Sequence, residues 1–482
     1  MKKLVLILSL ISSVAFCNDI DILRTSSNIL NSYTPNFHKN IKQSLDNKVP
    51  LHGRELRLLH EVVSHYIDLD TKFTKLIKSE KSKKIKVLLN LDRYKSFLTN
   101  FEPFYSTTRF RRYINDEDLS FNIKKHQLND HITLLLDLKF AKTLNKDIET
   151  ALSNGTSDDY SIQIENHSAL EFVKNLKKIK ALNKLYKKFK KSDLKDDRLI
   201  DLTDRISGRF GNTAGGIRWR KGHLLKNKKI HAEILEQLKP LDMITEKTYF
   251  ALTDKFIPGH FGHNAIWLGT KEELIELGLW NHKSIIPFHK EIEAGKSILE
   301  VDRSGTHLKS LEVFMNIDEF AILRLKEINF TTARLEEIYT VALSQIGKIY
   351  DFNFDVETTD KLVCSELLYQ SFTNIHWPTQ TYLTNTKLSR VTISPDNIAS
   401  LALYNDSPIE LIYYVAQRKK RQAPIYKDLD QLAKDLEFAK VGDEYKRVVK
   451  KCDESLSNVE LCETELEDLP YTSHPYIEGV GI

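Results

Sequence analysis

The apolar positions of this 482-residue chain change their period about halfway along. Up to residue 225 they recur at helical spacing. Leu56, Leu58, Leu59, Val62, Val63, Tyr66 and Ile67 share one helical face, and Leu176, Ile179, Leu182, Tyr186 and Phe189 share another. Beyond residue 240, short apolar runs at 243–245, 264–268, 297–301 and 320–325 read as strands. Helical spacing returns over 332–347 and 366–372, the second helix starting at or just before Cys364, and 411–416 reads as a final strand. Strands clustered between helices make this half α+β, behind an all-α N-terminal region. The stretch Gly208 to Gly216 holds four glycines in nine residues, which predicts a loop or tight turns between the two halves. No Gly-Lys-Ser/Thr follows it, so it is not a phosphate loop.

These boundaries predict a leader at 1–15, a helical domain at 16–225, a mixed domain at 226–425 and a charged, partly helical tail at 426–482. The leader reads as a secretory signal: Lys2 and Lys3, an apolar run, then Ser13-Val14-Ala15 as a cleavage site. The protein is therefore expected to be exported, to the periplasm or cell envelope. Cys17 raises a lipid anchor as an alternative, but Phe16 stands where lipoprotein signals carry a small residue. No later stretch reaches the length of a membrane-spanning helix.

The net charge is +5 across 137 charged side chains, a balance that argues against nucleic acid as a partner. One local bias stands out. Lys174, Lys177, Lys178, Lys180, Lys184, Lys187, Lys188, Lys190 and Lys191 crowd one side of an amphipathic segment. Two readings fit: a solvated face of a helical bundle, or a contact for an anionic surface such as lipid headgroups or cell-wall polymer. Four cysteines occur. Cys452 and Cys462 lie close enough to pair, which would leave Cys364 free.

Two short segments carry the chemistry. Gly262-His263-Asn264-Ala265-Ile266-Trp267-Leu268-Gly269 puts a histidine at the head of a strand. Leu362-Val363-Cys364-Ser365-Glu366-Leu367-Leu368 puts a cysteine at the head of a helix. Unsatisfied N–H groups and the helix dipole at that end favour a thiolate, and they offer donors to a developing oxyanion. A histidine beside the sulfur completes a nucleophile–base pair. His260, three residues upstream, competes for the role of base. Glu300, on the next predicted strand, is the candidate to orient the imidazole. Tyr350, Ser365 and His260 are candidates for the oxyanion or the pocket, and Arg218, Trp219 and Arg220 for a groove. No Cys/His/Asp set completes a zinc site around the two histidines, so neither metal nor cofactor is expected.

The order of these segments resembles the circularly permuted papain-like hydrolases of the NlpC/P60 superfamily, in the YiiX/YaeF-like branch. The similarity covers roughly residues 235–420. It rests on Leu241-Asp242-Met243-Ile244, the His263 segment, Glu300, Tyr350-Asp351-Phe352 and the Cys364 segment. The family usually opens this core with Gly-Asp, where Leu241 replaces the glycine, and usually has Ser-His where Gly262-His263 stands. The resemblance implies a permuted papain-like core with Cys364 as nucleophile, His263 as base and Glu300 as the third polar residue. The expected activity is a cysteine amidase or peptidase acting through an acyl-enzyme, with cell-wall peptide as the favoured substrate. Two alternatives remain open: a lipid or N-acyl hydrolase or acyltransferase using the same site, and a non-catalytic envelope scaffold with a vestigial core.

Overall fold

The structure, a computed structural model, describes residues 19–46, 51, 53–153, 158–216, 218–250, 259–326, 331–351, 361–373, 375–383, 389–452 and 462–471. The leader and Cys17 lie outside the described residues. Two compact units divide the chain at Leu202/Thr203.

The first unit is helical, as the 3.6-residue period predicts. Helix Gly53–Ser79 buries Leu56, Leu59, Val62, Val63, Tyr66 and Ile67 in one apolar cluster with Phe97, Phe101 and Tyr105, and buries Leu58 as well. Ile179 and Tyr186, from helix Leu176–Gly216, join the same core. The lysines opposite them are exposed, except Lys190, which is partly buried and bonds Asp130 at 2.7 Å. Several charged groups inside this unit are paired. Arg93 donates to both oxygens of Asp70, which also takes His131, and buried His60 bonds Asp118. The glycine-rich stretch is not a loop: the helix runs to Gly216. Glycine costs a helix about 1 kcal/mol per position without forbidding it, and Gly215-Gly216 fall at the helix end, where glycine is favoured.

The second unit is built on a sheet that, among the described residues, has seven strands. These are β1 (Met243–Lys247), β2 (His263–Trp267), β3 (Ile298–Asp302), β4 (Gly305–Lys309), β5 (Glu319–Leu325), and, after the short β6 (Ile349–Tyr350), β7 (Lys361–Leu362), β8 (Gln380–Leu383) and β9 (Ser389–Thr392), β10 (Ile409–Ala416) and β11 (Ile425–Tyr426). The sheet order is β11-β10-β5-β1-β2-β3-β4, antiparallel throughout. Two apolar clusters cover its faces, as alternation along strands requires. Ile266, Leu268, Leu299 and Leu323 pack with Leu367 and Leu368 of helix Cys364–Ser371 and with Tyr339 of helix Thr332–Ser344. Ile244, Ala265, Trp267 and Ile322 pack with Ile230, Phe314 and Met315. This is the mixed architecture expected of a permuted papain-like core, and in the chain it follows an all-helical region.

Two departures from the sequence reading have plain causes. Strand β4 was not anticipated, because Gly-Thr-His-Leu-Lys carries too few apolar residues to register. Gly305 holds φ +99° at the β3–β4 turn, and a Cβ there would lie 2.6 Å from the carbonyl oxygen of Lys348. The tail has a short helix, Leu429–Asp435, but most of its described part is an antiparallel sheet of β12 (Phe438–Val441), β13 (Glu444–Cys452) and β14 (Cys462–Glu467). Charged residues on both faces hid it. Leu241 sits at φ +70°, a left-handed conformation that costs a non-glycine residue about 1–2 kcal/mol. That accounts for glycine being expected at this position. Asp242 beside it is buried, and Arg324 donates to both its oxygens at 2.7 Å.

Candidate active site

Cys364 is the first residue of its helix, after Val363 at φ −101° and ψ 167°. The Glu366 carboxylate caps that end by accepting the Val363 N–H at 2.8 Å. Behind the thiol, Ser365 Oγ donates to Asn264 Oδ1 at 2.8 Å and lies 3.9 Å from the sulfur. The His263 ring and the Asn264 N–H act electrostatically on the sulfur. One strand therefore positions both partners of the thiol: His263 opens β2 and Asn264 follows it.

The other side of the imidazole meets Glu300. His263 Nε2 lies 3.0 Å from Glu300 Oε2, leaving Nδ1 for the sulfur. Glu300 pairs with Ala265 across β2–β3, on the same sheet face as His263. It is 1% exposed and also takes His307 Nε2 at 3.2 Å and the Lys309 ammonium, both from β4. His307 and Lys309 escaped the sequence reading along with their strand. The Asp302-Arg303-Ser304-Gly305 turn, followed by alternating Thr306 and Leu308, was the signal that could have found them.

The electrostatics follow from these contacts. Burial pushes the Cys364 thiol up, but the His263 charge and hydrogen bond more than offset it, and its pKa falls below the ordinary value. Burial opposes charge on His263 as well, yet Cys364 and Glu300 together hold its pKa well above the usual imidazole range. Burial likewise disfavours charged Glu300, and His263, His307 and Lys309 reverse that to hold it well below the carboxylate range. A thiolate–imidazolium pair with an ionised carboxylate behind it is the state these shifts favour.

The group opens onto a cavity of about 260 Å³ lined by Cys364, His263, Glu300, Tyr350, Glu246, Arg218 and Phe314, among others. Of the sequence candidates, Cys364, His263, Glu300 and Tyr350 come together here. Burial and the nearby Cys364 hold the Tyr350 hydroxyl well above its ordinary pKa, so it stays a donor. Ser365 is not on the cavity wall, because its hydroxyl is turned to Asn264. Neither is His260, whose ring is held by Glu319 and Tyr414, each at 2.9 Å. Arg218 reaches the cavity, whereas Arg220 is drawn away into a two-oxygen contact with buried Asp318.

Two clusters of the described residues have metal-ligand geometry: His260, Glu319 and Asp435, and Glu300, Asp302 and His307. In each, a lysine ammonium already lies among the acceptors. Lys427 bonds Glu319 at 2.9 Å and Asp435 at 2.6 Å, and Lys309 bonds Glu300 and Asp302. Both clusters are thus charge-compensated by the chain itself.

A cysteine at a helix head, a histidine at a strand head and a carboxylate on the next strand, in the order histidine, carboxylate, cysteine, define a permuted papain-like site. Residues 237–413 match the model of the family described as permuted papain-like amidase enzyme, YaeF/YiiX, C92 family. No curated protein and no solved structure matches the chain. The matched segment carries His263, Glu300 and Cys364, and the family that it matches is described as an amidase enzyme. No helix among the described residues is long and apolar enough to cross a membrane.

Proposed function

We propose that the protein is an exported cysteine amidase in which Cys364 attacks the substrate carbonyl, His263 moves the proton and Glu300 orients the imidazole. The observation that carries this reading is Cys364 and His263 on one cavity wall, each shifting the charge of the other, with Glu300 on His263 Nε2. The thiolate adds to the carbonyl carbon, and charge builds on its oxygen. The donors proposed for that oxygen are the Cys364 backbone N–H at the helix head and the Tyr350 hydroxyl, both from residues that line the cavity. His263 then protonates the leaving amine, the C–N bond breaks and an acyl-thioester remains. Water, deprotonated by His263, hydrolyses the thioester. Peptide of the cell wall is the proposed substrate, which suits both an amidase and an exported protein. Eight exposed lysines along the 174–191 segment would hold the enzyme near anionic polymer. Val313, 60% exposed on the cavity wall, favours a second reading in which the acyl part is a lipid chain.

The test is the pH dependence of Cys364 alkylation by iodoacetamide, read by intact mass and peptide mapping, alongside a screen of wall peptides and acyl lipids. Fast labelling well below the ordinary thiol pKa, with an acyl adduct on Cys364 from one substrate class, is the expected result. An ordinary thiol profile with no adduct would return the protein to the scaffold reading. Release of the leader and recovery in the envelope fraction would test export.

A further inference from the structure

One carboxylate in the cavity has no assigned task. Glu246, on β1, is the register partner of His263 on β2, so the two side chains stand side by side on one sheet face. Glu246 is 8% exposed and lines the same cavity as Cys364. The hydrogen bond it receives comes from a neutral group: Thr248 Oγ1 donates to Oε2 at 2.6 Å. No cation among the described residues forms an ion pair with it. It does not orient the imidazole, because the hydrogen bond of His263 Nε2 goes to Glu300. Arg218 lines the cavity too, but it lies over the Phe250 ring at 5.8 Å and makes no ion pair with Glu246. The other acids differ. Glu300 has His263, His307 and Lys309, and Asp302 has Lys309 and both the amide and hydroxyl of Ser304. A buried carboxylate whose direct hydrogen bond comes only from a neutral hydroxyl is costly, and a ligand that supplies a directly bonded cation recovers part of that cost.

We infer that Glu246 is the recognition residue for a protonated amine, so that the substrates are amides carrying a free ammonium group within reach of the scissile carbonyl. The inference rests on the cysteine-amidase reading for the word substrate, but the cation subsite itself does not. Burial holds the Glu246 carboxyl above its ordinary pKa, opposed by His263, Thr248 and Arg218, and an incoming ammonium would favour its charged form.

Alkylating agents of different charge probe the subsite without knowledge of the substrate. Rates at the Cys364 peptide are measured for 2-bromoethylammonium and iodoacetamide, each divided by its rate with glutathione. The expected normalised ratio favours the ammonium reagent by about tenfold or more in the wild type and falls close to one in Glu246→Gln. A ratio that is the same in both proteins overturns the inference, including the case where the variant slows both reagents equally. Calorimetric titration of benzylammonium against benzyl alcohol reads the site without the thiol. Amine-selective binding to the wild type that disappears in Glu246→Gln supports the inference, and equal binding of the two ligands overturns it. Slow labelling of Cys364 by every reagent, together with amine-selective binding, would remove the amidase reading and leave the subsite standing.

Discussion

His260 and His263 stand three residues apart, each hydrogen-bonded to a buried glutamate, yet their surroundings oppose each other. His260 belongs to a closed network. Its Nε2 meets Glu319 and Tyr414; Tyr414 donates to Asp435 at 2.8 Å; Lys427 bonds all three acceptors. Its backbone is fixed as well, because the Asp396 carboxylate accepts the N–H groups of His260 and Phe261 at 2.7 Å each. Burial opposes charge on Glu319, but His260, Tyr414 and Lys427 hold it well below the carboxylate range. Around His263 the network is left open, with a thiol on one nitrogen and a cavity beside it. A closed buried network fixes a structure, and an open one can exchange a proton with something that enters. Openness, more than the identity of the residues, separates the two histidines.

Replacing each histidine tests that distinction, and His263→Ala should have the larger effect. Without the imidazolium, the acid limb of Cys364 alkylation moves up toward an ordinary thiol, and the rate near pH 6 falls by about a hundredfold or more. The sign follows from the contacts: His263 is the charge that lowers the thiol pKa, so its removal raises it. An unchanged pH profile would show that the helix head alone activates the sulfur.

Glu300→Gln comes next. The amide keeps the shape but loses the charge that stabilises the imidazolium, so labelling near pH 6 should drop by about tenfold, less than for His263→Ala. Folding stability is linked to the same group. The folded pKa of Glu300 is depressed, so its contribution is present above the unfolded carboxylate value and is lost as pH falls through the folded one. Acid unfolding followed by circular dichroism should therefore lose part of its steepness in Glu300→Gln. A variant with wild-type labelling would mean that the charge of the carboxylate is not what holds the imidazolium.

Much of this site was legible in the sequence, for local reasons. A cysteine before a helical run and a histidine at the start of an apolar strand announce themselves, and strand period 2 puts His263 and Ala265 on one face. Glu300 could be placed because its strand neighbours His263's strand. What stayed hidden depended on partners distant in sequence. His307 and Lys309 lie on a polar edge strand with little hydrophobic signal. Nothing in Gly259-His260 reveals that Glu319, Tyr414 and Lys427 will close around it, 59 to 167 residues away. Ser365 looked like a pocket residue beside the nucleophile until Asn264, 101 residues earlier, claimed its hydroxyl. The glycine-rich stretch misled in the opposite sense, because propensity there was weaker than helix continuity.

The smallest effect on the thiol, and the sharpest test of the closed network, is His260→Gln. Glutamine can keep one hydrogen bond to Glu319 or Tyr414 but leaves part of the cluster unsatisfied, costing about 2 kcal/mol of stability. For a unit of this size that is a fall in Tm of about 4–8 °C, readable by calorimetry. Alkylation of Cys364 should stay within about threefold of the wild type across the pH range, because His260 and its partners Glu319 and Tyr414 do not line the cavity. Lys427→Met should lower Tm by more, since it strips Glu319 and Asp435 of their ammonium partner. If His260→Gln instead moved the acid limb as far as His263→Ala, the two clusters would be electrically one, and the closed–open distinction would fail at the place where it is drawn.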